Sequence, residues 1–84
     1  MNEEDTMDFG KALQSIKAGN RVARAGWNGK GMWLRYVPGG VVERDGETRP
    51  ALPYVEMSTV GGELVPWLAS QTDLLAEDWI ELRS

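Results

Sequence analysis

The chain's 84 residues suffice for one domain with a modest buried core. Having neither cysteine nor histidine, it excludes disulfides, thiolate metal sites and the commonest general base, so self-association is the reinforcement that suits it best. A net charge of −4 speaks against a general binder of duplex nucleic acid, and no apolar run is long enough to cross a bilayer.

The acidic start, Met1–Met7, does not resemble a secretory signal. It reads as a flexible segment, 1–7, ahead of a single ligand-binding domain over 8–84, and a cytoplasmic location is expected. From Asp8 the pattern turns helical, with Phe9, Ala12, Leu13 and Ile16 on one face. Asp8 is a fitting N-cap, Lys17 suits the last turn, and Gly19 fits the position just past the helix. A helix over Phe9–Ala18 is predicted.

Strands and tight turns follow. Arg21–Ala25 is extended, and Asn28-Gly29 favours a hairpin turn. Met32–Val37 places Met32, Leu34 and Tyr36 on one face, with Trp33, Arg35 and Val37 on the other. Val41–Arg44 and Glu47–Arg49 pair around Asp45-Gly46, after the break at Pro38-Gly39-Gly40. Tyr54–Val60 is a strand, and Glu63–Trp67 returns beside it, confined by Pro66 to an edge. Ser70-Gln71-Thr72-Asp73 has the capping-box pattern for a short helix through Ala76. Asp78–Leu82 closes the sheet. The class is α+β: an N-terminal helix packed on a small antiparallel sheet with hairpins and a short late helix.

Charge is unevenly spread. Residues 1–10 hold four acids, residues 11–49 hold eight of the nine bases against three acids, and residues 50–84 hold six acids and Arg83. A basic middle on an acidic chain suits a small phosphorylated ligand, although an unevenly solvated surface has the same composition.

Four tryptophans are many for this length, and their contexts differ. Trp79, inside the last strand, reads as core. Trp33 reads as core or subunit interface. Trp27 and Trp67 each lie beside a turn or cap, where an indole either stacks on a nucleobase or seals the turn against the core. Arginines such as Arg24, Arg44 and Arg49 suit phosphate, and Gly39-Gly40 allows close backbone approach. No Walker-type or dinucleotide-binding glycine pattern occurs. The case for catalysis is thin. Asp73, Glu77 and Asp78 form an acidic group that suits magnesium or acid–base work, but Asp73 has a capping role and Ser70 has no histidine to activate it. No lysine among Lys11, Lys17 and Lys30 sits in an apolar sequence context that would suit a base or nucleophile.

Two blocks, Asp8–Leu13 through Arg24-Ala25-Gly26-Trp27-Asn28-Gly29-Lys30-Gly31-Met32, and Trp67–Trp79, together resemble the small phage and prophage proteins of the Thoeris anti-defence type-two family. The resemblance covers nearly the whole chain. It implies a sponge that binds, without cleaving, a cyclic ADP-ribose isomer (glycocyclic ADP-ribose) made by a TIR-domain immune enzyme. It also implies a homotetramer with pockets between subunits and, in some members, a separate site for cyclic oligonucleotides. No cofactor, duplex nucleic acid or membrane partner is implied. Carried onto this sequence, Trp27 or Trp67 stacks on adenine, Asn28, Gln71, Thr72 and Asp73 bond base or ribose, and Arg24 meets the pyrophosphate. A second phosphate site would draw on Gly39, Gly40, Arg44 and Arg49, in the stretch where the resemblance is weakest. The rival readings are a protein-binding inhibitor of a host enzyme and a small nucleotide hydrolase.

Overall fold

The computed structural model describes residues 5–27 and 30–82. Helix α1 spans Phe9–Lys17. Its N-cap is Asp8, whose Oδ1 accepts the Lys11 N–H at 2.9 Å. The helix ends at Lys17, one residue before the expected limit; Ala18 is its C-cap, and Gly19 follows with φ +100°. That backbone state lets Gly19 and Asn20 donate to the carbonyls of Ile16 and Ser15 at 2.9 and 3.0 Å, closing the last turn. The buried stripe is Ala12 and Ile16, as the 3.6-residue periodicity requires.

Strand β1 (Arg21–Arg24) gives way to a 3₁₀ turn over Ala25–Trp27, where an extended Ala25 was expected. The Ala25 N–H is drawn to the Asp78 carbonyl at 2.8 Å, which turns the chain one residue early. The Asn28-Gly29 turn expected next lies outside the described residues. Then come β2 (Trp33–Val37), β3 (Gly40–Arg44), β4 (Glu47–Ala51), β5 (Tyr54–Ser58), β6 (Leu64–Pro66), α2 (Gln71–Leu75) and β7 (Trp79–Leu82). The first sheet runs β6-β5-β2-β1-β7, antiparallel throughout. β3 and β4 form a separate two-stranded ribbon.

The ribbon turns at Asp45 (φ 54°) and Gly46 (φ 78°), the pair of positive angles that a tight hairpin needs. It extends to Ala51, two residues beyond the expected end, and takes in Pro50. A ribbon strand has one neighbour only, so the N–H that Pro50 lacks is not missed there. β5 stops at Ser58, two residues early, because Thr59 turns the chain by bonding Glu63 and Gly62. Pro66 sits on edge strand β6, as its missing donor dictates.

Helix α1 lies on one face of the five-stranded sheet. Ala12 and Ile16 meet Val22, Leu34 and Trp79, all fully buried. Phe9, Trp27, Tyr36, Met57 and Trp67 pack around them. Met7, expected in the flexible start, is bridged to Trp79 by two main-chain bonds of 2.8 and 3.1 Å. Main-chain pairing with the last strand thus reaches back to Met7. The α+β class with an N-terminal helix, antiparallel hairpins and a short late helix holds as expected.

Candidate functional site

Trp79 is the centre of the aromatic cluster. Its ring is inaccessible to solvent, and its indole N–H donates to the Asp73 carbonyl at 3.0 Å. Trp27 and Trp67 both meet it edge-on, at centroid distances of 5.6 and 5.9 Å with interplanar angles of 78° and 86°. Phe9 completes the cluster, 5.4 Å from Trp79 and 5.8 Å from Trp67. Trp79 is thus core, as expected. Trp27 and Trp67 are each half-buried, so part of each ring seals the core and part remains open. The core-sealing reading of a turn-flanking tryptophan is the one seen in both side chains, and each keeps an accessible edge.

Beside this cluster Arg24 lies between two carboxylates. Its Nε donates to Asp78 Oδ1 at 2.9 Å, and its Nη1 donates to Asp73 Oδ1 at 3.0 Å. Such charge-assisted bonds are the stronger kind. The bond to Asp78, set against partial burial and helped by Asp73, raises the guanidinium's pKa further. Burial pushes both carboxyls up. For Asp73 it is outweighed by hydrogen bonds from Ser70 and then Arg24, and for Asp78 by those from Arg24 and Gly26, so both sit below the ordinary aspartate value. Held ionised in this way, they are not tuned as acid or base near neutrality. Glu77 is not part of this group and instead lines a shallow polar recess with Thr6, Asp8 and Lys11. Among the described residues no cluster of three or more acidic side chains is arranged to hold a metal ion.

Asp73 has a second task. Its Oδ2 accepts the Ser70 N–H at 3.2 Å while Ser70 Oγ accepts the Asp73 N–H at 3.1 Å, the reciprocal box anticipated at the start of α2. Gln71 and Thr72 are exposed in that first turn, and the Thr72 hydroxyl lies 3.0 Å from Ser70 Oγ.

A cleft of about 370 Å³ opens next to the turn. Arg24, Trp27, Lys30, Met32, Trp33 and Ile80 are among its walls. Strand alternation puts Trp33 and Ile80 on the sheet face opposite Leu34 and Trp79, and so away from α1. Trp33 is therefore not core. It is half-buried, with the guanidiniums of Arg21 and Arg35 over its ring at 5.1 and 5.6 Å. Arg35 is tied in turn to the buried Glu56 at 3.0 Å.

Of the residues expected to bind ligand, Arg24 and Trp27 line this cleft directly, and Asp73 joins it through Arg24. Trp67, Gln71 and Thr72 lie outside its walls, linked to Trp27 through Trp79 and α2. Asn28 lies outside the described residues. Met32 and Trp33 are new to the site. For Trp33 the signal was the pleat of β2, which turned it away from Leu34, but alternation alone does not say which face carries a cleft; Met32 precedes β2, and alternation had put it on the face of Leu34.

The group Gly39, Gly40, Arg44 and Arg49 is divided along the ribbon. At Gly39 a side chain would run into the Ala51 carbonyl oxygen, so this glycine serves a close approach at the ribbon's base. Gly40 has φ +145°, again a backbone state suited to glycine. Arg44 pairs with Glu47 near the tip, where its Nη1 donates to the Glu43 carbonyl at 3.0 Å, and Arg49 lies opposite Val42. The two arginines share one face of the ribbon.

Residues 7–82 match the model of the Thoeris anti-defense 2-like domain. Thoeris anti-defense 2 of Bacillus phage SP01 is 38% identical over 81 residues, which cover 87% of this chain and 91% of that protein. With the match spanning helix, sheet and aromatic cluster, this chain belongs to the Thoeris anti-defense 2-like family.

Proposed function

We propose that this protein serves its phage-type anti-defence role as a sponge, binding a cyclic ADP-ribose isomer and holding it uncleaved. The observation that carries this reading is the cleft beside Trp27. Its volume of about 370 Å³ falls in the range of small-ligand sites. It combines two indole walls, Trp27 and Trp33, with the cations of Arg24 and Lys30. An indole stacked on a nucleobase contributes about 1–3 kcal/mol. Arg24 still has N–H donors beyond the two that its carboxylate bonds use. In this reading Trp27 stacks on adenine, Lys30 and Arg24 face phosphate oxygens, and Gln71 and Thr72 offer bonds to ribose or base.

The reading extends to assembly. A homotetramer places a second subunit over the open side of the cleft, so that Trp67 and the first turn of α2 of one copy complete the pocket of another. A separate cyclic-oligonucleotide site, if the ribbon provides one, uses the face shared by Arg44 and Arg49. The setting is the cytoplasm of an infected or lysogenic host. Retention without cleavage is supported by chemistry: the sequence lacks histidine and cysteine, and Asp73 and Asp78 are both bound to Arg24.

One experiment separates this reading from its rivals. The protein is incubated with glycocyclic ADP-ribose, binding is measured by calorimetry, and the protein is then denatured and the released nucleotide analysed. Intact nucleotide is expected. Altered nucleotide would reveal a hydrolase, and no binding would leave inhibition of a host protein as the anti-defence mechanism. Trp27→Ala is expected to weaken binding by about tenfold or more, the equivalent of one lost stacking contact, while the fold persists.

A further inference from the structure

Asp78 joins parts of the molecule that the chain keeps far apart. Its Oδ1 accepts Arg24 Nε at 2.9 Å, and its Oδ2 accepts the Gly26 N–H at 2.9 Å. Its main-chain carbonyl accepts the Ala25 N–H at 2.8 Å. Two of these bonds hold the turn that ends in Trp27, and the third holds Arg24, the last residue of β1 just before it. Ala25 and Gly26 are themselves exposed, so packing does little to hold this turn. Gly26 is also a close approach: a Cβ there would lie 3.0 Å from Asp78 Oδ2.

The chain of bonds continues past the turn. Arg24 Nη1 reaches Asp73, whose carboxylate completes the Ser70 capping box of α2 and whose main-chain carbonyl accepts the Trp79 indole N–H. The Trp27 turn and the first turn of α2 are therefore connected by a run of charge-assisted bonds with Asp78 at one end. Among the described residues Trp27 itself makes no side-chain hydrogen bond. Its orientation depends on the backbone of the turn and on its edge contact with Trp79.

We propose that Asp78 is a positioning residue for the ligand site: it sets the Ala25–Trp27 turn, and with it the angle at which Trp27 faces the cleft, without touching the ligand. Asp78 is not among the cleft's walls, in keeping with an indirect role. The proposal rests on the sponge reading for its effect on binding, but its structural half is measurable without ligand.

The test compares wild type, Asp78→Asn, Trp27→Ala and the double variant. Asparagine keeps the shape of aspartate but has a single acceptor oxygen where two donors, Arg24 Nε and the Gly26 N–H, converge. One donor then faces an amide NH₂. In the free protein, Asp78→Asn is expected to change the near-ultraviolet circular dichroism of the indoles while the far-ultraviolet spectrum stays native. That change should largely vanish when Trp27 is already alanine. With glycocyclic ADP-ribose, Asp78→Asn is expected to weaken binding about tenfold, the loss typical of one hydrogen bond involving a charged group. In the Trp27→Ala background the same change should add little.

An unchanged near-ultraviolet spectrum for Asp78→Asn would overturn the proposal. So would an equal loss of affinity in both backgrounds, which would mean that Asp78 acts on the ligand or on the whole fold and not through Trp27. If Asp78→Asn does not fold, Gly26→Ala decides in its place, since the added methyl displaces the carboxylate without removing it. It should shift the indole spectrum in the same direction. If wild type binds no nucleotide, the sponge reading fails, and the spectra of the free proteins still decide the role of Asp78.

Discussion

Trp79 bears more of the fold than any other single side chain. It is fully buried, it touches Phe9, Trp27 and Trp67, and its N–H is satisfied by the Asp73 carbonyl. Removing so large a buried ring costs about 3–5 kcal/mol. A chain of 84 residues has roughly 4–13 kcal/mol of stability in total. Trp79→Ala is therefore expected to leave the protein largely unfolded or with a sharply lowered urea midpoint, and Trp79→Phe to retain a cooperative transition. Trp67→Ala should be milder, because that ring is only half-buried. The residue's position in the last strand already marked it as core. Its contact with two other tryptophans was hidden, since Trp27 and Trp79 are brought together only when β7 pairs with β1.

At the scale of elements, short pieces depend on their ends. Helix α2 has five residues, too few to persist alone, and is held by the Ser70–Asp73 box. Ser70→Ala removes one partner of that box and should lower stability by about 1 kcal/mol in urea denaturation. The β3–β4 ribbon poses the opposite case. It pairs with itself and packs extensively against no other element, and the molecule's long axis of 52 Å is about twice its other dimensions of 27 and 26 Å. Replacing residues 39–52 by a short turn between β2 and β5, which already pair from Val37 to Tyr54, should leave the five-stranded sheet folded. Thermal melting followed at the tryptophans, all of which lie outside the ribbon, is the measurement. A large drop in the midpoint would show that the ribbon supports the core after all. An isolated two-stranded ribbon is marginal in water, so its amides should be the least protected of the sheet amides in hydrogen exchange.

For the whole molecule, the linked charges of Arg24, Asp73 and Asp78 make stability depend on pH. Both carboxyls sit below the ordinary aspartate value in the folded protein, chiefly because their hydrogen bonds outweigh burial. Their stabilisation is thus complete above the unfolded-chain value, about 3.9, and fades as pH falls through the lower folded values. The difference in melting temperature between wild type and Asp73→Asn should be constant from neutral pH to about pH 5 and should shrink below about pH 4. A difference that persists at low pH would mean that asparagine harms the capping box and that charge contributes little. Both aspartates keep some solvent contact, which limits the size of the effect.

What the sequence determined by itself was local. The period of Phe9, Ala12 and Ile16, the Asp8 and Ser70 caps, the alternation through Trp33–Val37 and the Asp45-Gly46 turn each act within a few residues, and each stands in the structure where the pattern placed it. The family blocks added a function that no spacing contained. Tertiary structure decided the rest. The strand order β6-β5-β2-β1-β7 puts the last strand beside the first, and that pairing carries Asp78 to Arg24 across 54 residues. It also gathers Trp27 and Trp67 on Trp79 and makes a cleft from the sheet face that α1 leaves uncovered. Propensities and caps are properties of neighbours along the chain. Which edges meet, which arginine finds which carboxylate and which face stays open depend on packing the whole core, and no short stretch of sequence contains that.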